Sequence, residues 1–294
     1  MKILHIVPGL DDAANGMAVV ARLIAKEQGG AQVVDLSRAV YGDIVHVDEI
    51  WVHGMWLPKA WMICRRALKA GKRLVRMVHG SLSPVYLKYQ SPFKKWLAGP
   101  IERYWLGKAD RIVATCEAEK GWIEKYLGKR CPEIEVMDLK RFFELRGSCS
   151  GLADNQKQET GNQKLNLLYL GRRHPLKGVE YMEEAVAQLN SSIPPLPTPP
   201  LLKIVSNAFG EEKERIWNWC DVLILPTLSE NFGLVVAEAL ERGKRVITTD
   251  GAPVWGEESG GVGERLIYLK GYRDGTKDER VRQLKEAILA CLKQ

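Results

Sequence analysis

The run Pro226-Thr227-Leu228-Ser229-Glu230-Asn231-Phe232-Gly233-Leu234-Val235-Val236-Ala237-Glu238-Ala239-Leu240 follows the apolar stretch Val222-Leu223-Ile224-Leu225. A short apolar run rich in branched side chains predicts a buried strand over residues 221–226, and the spacing beyond the turn predicts a helix over 232–242. Strand, turn and helix in that order are the half-unit of a parallel sheet covered by helices.

The same alternation extends in both directions. On the C-terminal side it predicts strands at 166–171, 201–205, 245–249 and 265–269, with helices at 178–190, 210–219 and 278–292. On the N-terminal side it predicts strands near 2–8, 32–37, 49–53, 73–78, 110–115 and 133–137, with helices at 16–28, 57–70, 93–106 and 117–127. Residues 144–165 are polar, contain glycine and lack periodicity, so they read as a linker. The proline-rich residues 193–200 read as a stiff surface loop. At 294 residues the chain exceeds what one core usually serves. The expected partition is two Rossmann-like α/β domains, residues 1–150 and 151–294, meeting at a cleft lined by loops at the carboxyl ends of the strands.

Composition narrows the function classes. An apolar fraction of 46% and a charged fraction of 27% are those of ordinary globular domains. None of the six cysteines forms a Cys-x-x-Cys pair and no histidine cluster has zinc-ligand spacing, so the thiols read as reduced and structural. The run Ile3-Leu4-His5-Ile6-Val7 is too short for a signal peptide's apolar region and reads as a first strand, which makes a cytoplasmic location the expectation. The net charge of +7 is uneven: residues 1–150 hold 24 of the 43 basic and 16 of the 36 acidic residues, so the N-terminal half carries the excess. In residues 59–130 bases alternate with aromatics, as in Tyr86-Leu87-Lys88-Tyr89 and Phe93-Lys94-Lys95-Trp96, a pattern suited to phosphate-bearing partners or to a solvated helix face.

Two turns carry candidate chemistry. In the opening stretch, Glu230 and Glu238 flank a helix start, and each carboxylate can hold a diol. Between them the backbone N–H groups around Phe232-Gly233-Leu234 are the orphan donors of a helix N-terminus, a seat for phosphate. Acidic pairs at this spacing are also common on plain helix surfaces. The second turn, Leu168-Tyr169-Leu170-Gly171-Arg172-Arg173-His174-Pro175-Leu176-Lys177-Gly178-Val179, sets fixed cations at a strand end. Lys177 has no acidic neighbour in sequence, and a basic surface turn is the plain alternative.

In this order and at these strand ends, the two turns resemble the retaining glycosyltransferases of family 4, which have the GT-B fold. That family's pattern of Gly-Arg, Lys-Gly and two Glu separated by seven residues is matched by Gly171-Arg172, Lys177-Gly178, Glu230 and Glu238, followed by Gly243-Lys244-Arg245-Val246-Ile247-Thr248-Thr249. More loosely, Asn15-Gly16-Met17 resembles the glycine-bearing turn after the first strand, with one glycine in place of a pair. Val78-His79-Gly80 resembles the acceptor-side strand end whose His approaches the transferred sugar. His53-Gly54-Met55-Trp56 repeats that arrangement one strand earlier, and Ala109-Asp110-Arg111-Ile112-Val113-Ala114-Thr115 with Glu119 is also similar. Val136-Met137-Asp138-Leu139-Lys140-Arg141-Phe142 departs from the family's Pro-Asn-Gly-Val-Asp turn.

The resemblance implies catalytic roles for His79, Arg172, Lys177 and Glu230. It implies a donor site of Gly16, Gly171, Arg172, Lys177, Glu230, Asn231, Phe232, Gly233, Leu234 and Glu238. By it, Arg172 and Lys177 hold the diphosphate, Glu230 the sugar hydroxyls and Glu238 the ribose. The expected activity is transfer of a hexose-type sugar, with retention, from a nucleotide-diphosphate donor, a UDP-sugar favoured. The expected acceptor is a glycan or lipid-linked glycan, as in lipopolysaccharide or glycolipid synthesis. No Asp-x-Asp motif is present, so neither metal nor cofactor is expected. Expected partners are the donor, the acceptor and an anionic membrane surface on which the protein sits peripherally, not nucleic acid. The rival readings are a sugar-nucleotide epimerase of the same fold and a non-catalytic membrane-surface module.

Overall fold

The computed structural model describes residues 1–12, 15–92, 94–143, 164–192, 195–256 and 263–292. The chain divides into two compact units, Met1–Phe142 and Phe143–Gln294. The boundary expected between residues 150 and 151, the linker as far as residue 163, and Cys149 lie outside the described residues.

In the first unit the elements run β1 (Ile3–Val7), α1 (Gly16–Glu27), β2 (Gln32–Asp35), α2 (Tyr41–Val45), β3 (Glu49–His53), α3 (Pro58–Lys69), β4 (Arg73–Met77), α4 (Pro84–Tyr89), α5 (Gly99–Leu106), β5 (Arg111–Ala114), α6 (Glu117–Leu127) and β6 (Glu133–Val136). The sheet is parallel throughout, in the order β2-β1-β3-β4-β5-β6. Helices cover it: α1 buries Ala18, Val20, Ala21, Ile24 and Ala25, and α3 buries Ala60, Ile63, Cys64 and Ala67. Two helices escape the sequence reading because α2 and α4, at five and six residues, are too short to display a period. The single helix expected over 93–106 is instead a wider π turn over Lys94–Ala98 followed by α5. Pro100 sits in the first turn of α5, where its missing N–H costs nothing.

In the second unit the elements are β7 (Asn166–Leu170), α7 (Val179–Asn190), β8 (Leu201–Val205), α8 (Gly210–Trp219), β9 (Val222–Leu225), α9 (Leu234–Glu241), β10 (Arg245–Thr249), β11 (Leu266–Leu269) and α10 (Lys277–Leu292). This sheet is also parallel, ordered β11-β10-β9-β7-β8. Strand order reverses between β1 and β3 in the first unit and between β7 and β9 in the second. In open parallel sheets, ligands bind outside the carboxyl ends of the strands at that reversal.

One close approach fixes the second unit's reversal point. Gly178 ends the turn after β7 in the left-handed region, φ 61°, and a Cβ placed there would stand 2.2 Å from the carbonyl oxygen of Pro226. Gly178→Ala therefore meets a backbone atom as well as a conformational penalty. At Gly271, φ +71°, the penalty is similar but nothing lies within 4 Å. We expect Gly178→Ala to destabilise by about 1–3 kcal/mol more than Gly271→Ala, the range for an overpacked site, as measured by urea unfolding. Equal losses would mean that the Pro226 carbonyl moves aside freely.

Candidate functional site

The turns after β7 and β9 are tied by one carbonyl. The oxygen of Leu176 accepts from the Leu228 N–H at 2.8 Å and from the Thr227 hydroxyl at 3.0 Å. With Gly178 against Pro226, this brings together two segments fifty residues apart in sequence. The loop after β10 joins them: the Thr249 hydroxyl donates to the Thr227 carbonyl, and the Glu230 N–H donates to the Gly251 carbonyl at 2.8 Å. A Cβ at Gly251 would stand 2.1 Å from the Thr227 oxygen, so that approach also requires glycine.

The consequence is an ion pair that sequence spacing does not reveal. Lys177 Nζ lies 2.5 Å from Glu230 Oε2, with each side chain about a quarter exposed. Glu230 Oε1 accepts from the Asn231 N–H at 3.0 Å. Lys177 thus has an acidic partner after all, supplied by the neighbouring turn. Glu238, on α9, is paired with Lys213 of α8 at 2.7–2.8 Å. Sequence reasoning missed Lys213 because it stands among Glu211, Glu212 and Glu214, where a lysine reads as solvated helix surface.

The two arginines of the first turn separate. Arg173 is bonded to Glu183 at 2.5 Å, whereas Arg172 is exposed and makes no ion pair among the described residues. The Arg172 carbonyl accepts from the Tyr169 hydroxyl at 2.9 Å. Burial, and secondarily the charge of Glu230, push the Tyr169 phenol above its ordinary range. Gly171 is tied by its N–H to the Val205 carbonyl at 2.9 Å.

α9 begins at Leu234, two residues later than expected, because Gly233 takes the left-handed conformation, φ 70°. No side chain caps it; the Val236 N–H bonds back to the Gly233 carbonyl at 2.8 Å, which leaves those of Leu234 and Val235 as first-turn donors without intrahelical acceptors. Phe232 is fixed beneath by Phe143 and Trp255, with ring centroids at 5.7 and 5.3 Å, and the Trp255 indole donates to its carbonyl at 2.5 Å. The turns after β7 and β9 therefore bring Gly171, Arg172, Lys177, Glu230, Asn231, Phe232, Gly233 and Leu234 to the carboxyl ends of those strands, while Glu238 lies a turn into α9, beside Lys213 of α8.

Gly16 and His79 belong to the first unit. Gly16 opens α1, whose cap is Asn15: its side chain accepts from the Met17 N–H at 3.1 Å and donates to the Pro8 carbonyl at 2.5 Å. His79 follows β4 with φ 52°, and Trp56 follows β3 with φ 65°, the only two non-glycine residues of positive φ among those described. Strain of that kind persists only where neighbours enforce it. At Trp56 the enforcer is buried Glu102, which accepts from the Trp56 N–H at 2.8 Å and the Trp61 indole at 2.6 Å while bonding buried Arg76 at 2.8 Å. At His79 it is buried Glu119, which accepts from the Gly80 N–H and, at 2.7 and 2.8 Å, from the N–H and hydroxyl of Thr115.

His79 also ends a line of imidazoles that sequence reasoning did not assemble. His79 Nε2 lies 2.8 Å from His53 Nδ1, His53 Nε2 lies 2.9 Å from His5 Nδ1, and His5 Nε2 lies 2.8 Å from Gln28 Oε1. The available signal was a histidine within the apolar run of β1, His5, and another closing the apolar Ile50-Trp51-Val52 of β3, His53. Burial lowers the proton affinity of all three rings, that of His79 to about 3. Among the described residues no group of three His, Cys, Asp or Glu side chains is placed to hold a metal ion, and no helix is long and apolar enough to cross a membrane. Cys64, Cys116, Cys220 and Cys291 are free and buried, and Cys131 is free and half-buried.

Comparison with known proteins bears on the fold. Residues 15–137 match the family described as glycosyl transferase 4-like domain. Among curated proteins none matches the chain in sequence. Among solved structures, HepE of Anabaena in complex with UDP-glucose aligns with 100% of this chain and 91% of its own, at 17% identity and a TM-score of 0.66. Sucrose-phosphate synthase from Thermosynechococcus elongatus aligns over 100% and 98%, at 15% identity and a TM-score of 0.57. A trehalose-6-phosphate structure from E. coli bound with UDP-2-fluoro glucose aligns over 99% and 96%, at 12% identity and a TM-score of 0.59. At these identities the likeness is one of fold, the α/β fold of two parallel sheets shared with GT-B proteins.

Proposed function

From a chain of GT-B fold whose residues 15–137 match the glycosyl transferase 4-like family, we propose a retaining, metal-independent glycosyltransferase that takes a hexose-type sugar from a UDP-sugar and delivers it to a lipid-linked glycan. The observation that carries this reading is the joining of Lys177 and Glu230, at 2.5 Å, beside the uncapped N-terminus of α9. A nucleotide diphosphate sugar presents what that edge can bind: phosphate for Arg172, Lys177 and the α9 N–H groups, hydroxyls for Glu230 and Glu238. The solved HepE structure, which holds UDP-glucose, has the same fold.

In the reaction the acceptor oxygen attacks the anomeric carbon on the face from which the nucleotide diphosphate departs. The carbon–phosphate oxygen bond breaks, and the acceptor proton passes to the leaving group. Arg172, Lys177 and the α9 N-terminus stabilise the charge that grows on the diphosphate, the task a metal performs in other transferases. Glu230 positions the sugar, and Glu238 and Gly171 the nucleoside side of the donor; the sugar-contacting role that the family resemblance implies for His79, and the donor role it implies for Gly16, fall to the first unit.

The acceptor class rests on the surface of the first unit. Tyr89, Trp96, Leu97, Ile101 and Tyr104, five of the eleven large apolar side chains exposed among the described residues, fall within residues 89–104, and Trp96 is 85% exposed. Lys88, Lys94, Arg103 and Lys108 are interleaved with them, and residues 50–101 contain no acidic residue. Aromatic rings among bases suit the interface of an anionic membrane, where a lipid-linked acceptor resides.

Lys177→Ala tests the donor assignment. Its partly exposed ion pair is worth about 0–1 kcal/mol, so stability should change little. Loss of a charge-assisted bond to the diphosphate should lower kcat/KM about ten- to a hundredfold, mostly in kcat, because leaving-group charge peaks in the transition state. Wild-type turnover should also persist in excess chelator. Unchanged kinetics in a folded variant, or activity abolished by chelation and restored by magnesium or manganese, would contradict the assignment.

Vesicle binding tests the acceptor surface. Binding to anionic vesicles should weaken with salt, since exposed charges are screened within about 8 Å at physiological ionic strength. Trp96→Ser should weaken it further, about tenfold, for loss of one large apolar contact. Failure of the wild type to bind in a sedimentation assay would remove the membrane from the reading.

A further inference from the structure

We propose that Gln28, His5 and His53 form a hydrogen-bonded chain that fixes the tautomer of His79, so that His79 presents a bare Nδ1 to a substrate hydroxyl. The inference rests on the reading of His79 as a sugar-contacting residue of a transferase, and it names the positioning residues behind it.

The sheet register builds the chain. His5 pairs in register with Trp51, two residues before His53 on β3, and His53 pairs with Met77, two residues before His79. Residues two apart on a strand share a face, so each ring lies one strand over and one step further toward the carboxyl edge. The line thus runs diagonally across the sheet, from the C-terminal end of α1 to the turn after β4. His5 is stacked on Trp51 with centroids 5.0 Å apart, and the Trp51 indole donates to Glu49 at 2.7 Å. His5 and His53 are wholly buried, Gln28 and His79 half-buried.

Proton counting then couples the rings. Each is neutral, because burial disfavours the imidazolium at every position. A neutral imidazole has one N–H donor and one bare acceptor, and each nitrogen–nitrogen contact can hold one proton. The links join Nδ1 of one ring to Nε2 of the next. All three rings must therefore adopt the same tautomer. The Gln28 carbonyl oxygen faces His5 Nε2 and can only accept, which places the proton on Nε2 of His5, then of His53, then of His79. His79 Nδ1 is left bare and makes no hydrogen bond among the described residues. A lone buried histidine would have to choose its tautomer by local contacts, whereas here an amide at the sheet's other end makes the choice.

A purely structural ladder would satisfy the same polar atoms, so the test reads the tautomer itself. With histidine labelled by nitrogen-15, long-range proton–nitrogen spectra distinguish protonated from bare ring nitrogens. Wild-type His5, His53 and His79 should all carry the proton on Nε2. Gln28→Met removes the terminal acceptor at a half-buried site, and His5→Phe keeps a ring on Trp51 but cuts the chain. Both should shift His79 to a mixture of tautomers and lower kcat about two- to tenfold, the range for one neutral hydrogen bond, with the KM for UDP-glucose unchanged. The inference is overturned by a wild-type His79 protonated on Nδ1, by rings in opposite tautomers, or by a His79 spectrum indifferent to both variants. If no nucleotide sugar shifts the wild-type Tm, the transferase reading fails instead, and the spectra still decide whether the chain exists.

Discussion

The carbonyl of Leu176 is the constraint from which the geometry of the second unit follows. It takes hydrogen bonds from Thr227, Leu228 and, at 3.4 Å, Ser229 of the turn after β9, and Gly178, two residues later, lets α7 leave past the Pro226 carbonyl. A buried carbonyl satisfied by a neighbouring turn is worth about 1 kcal/mol for each bond made, and leaving it unpaired costs more. The larger consequence is positional. The turn after β7 cannot shift along the sheet edge without abandoning Thr227 and Leu228, so Lys177 is delivered to Glu230 by backbone, not by chance meeting of two flexible side chains. Gly251 repeats the device against Thr227 and extends it to the loop after β10.

The first unit solves the same problem with buried carboxylates. Glu102 and Glu119 have no exposed surface, and each accepts from backbone N–H groups at a strand end. Burying a carboxylate is costly unless its oxygens are bonded, and here they are, Glu102 by Arg76 in addition. Burial still pushes the Glu119 carboxyl above its usual range, opposed by its three donors. In return the turns at Trp56 and His79 are held at positive φ. That these two strained residues lie at the ends of adjacent strands, β3 and β4, fits the rule that strain collects where a fold presents its ligand-facing atoms.

Much of the fold was legible because parallel strands buried on both faces read as apolar runs, and the longer helices show their period. What escaped was short or relational. α2 and α4 lack a full period of residues, and the π turn before α5 arises where Gly99 and Pro100 interrupt one helical pattern. Within the site, the residues at strand ends could be named one by one, because a glycine or charge in a turn is visible locally. Their partners could not. Glu230 for Lys177, Lys213 for Glu238 and His53 for His79 are all supplied by other elements through register or packing. His5 is the instructive case: a titratable ring inside Ile-Leu-His-Ile-Val demands an explanation, but only the pairing of β1 with β3 says that the explanation is another histidine.

The two lysine–glutamate pairs bear on what the edge of β7 and β9 can select. Each is about a quarter exposed, so parting it costs little while a substitute partner is present. A free phosphate could draw Lys177 away, but Glu230 would then face a second anion with no cation of its own. A neutral sugar could engage Glu230, yet it would offer Lys177 nothing better than the carboxylate it already has. On the proposed reading, a ligand that carries phosphate and hydroxyls together offers an anion to Lys177 and hydrogen-bond donors to Glu230 at once. On that reading the edge discriminates through the partners a partial ligand would fail to supply, and a sugar joined to a diphosphate supplies both.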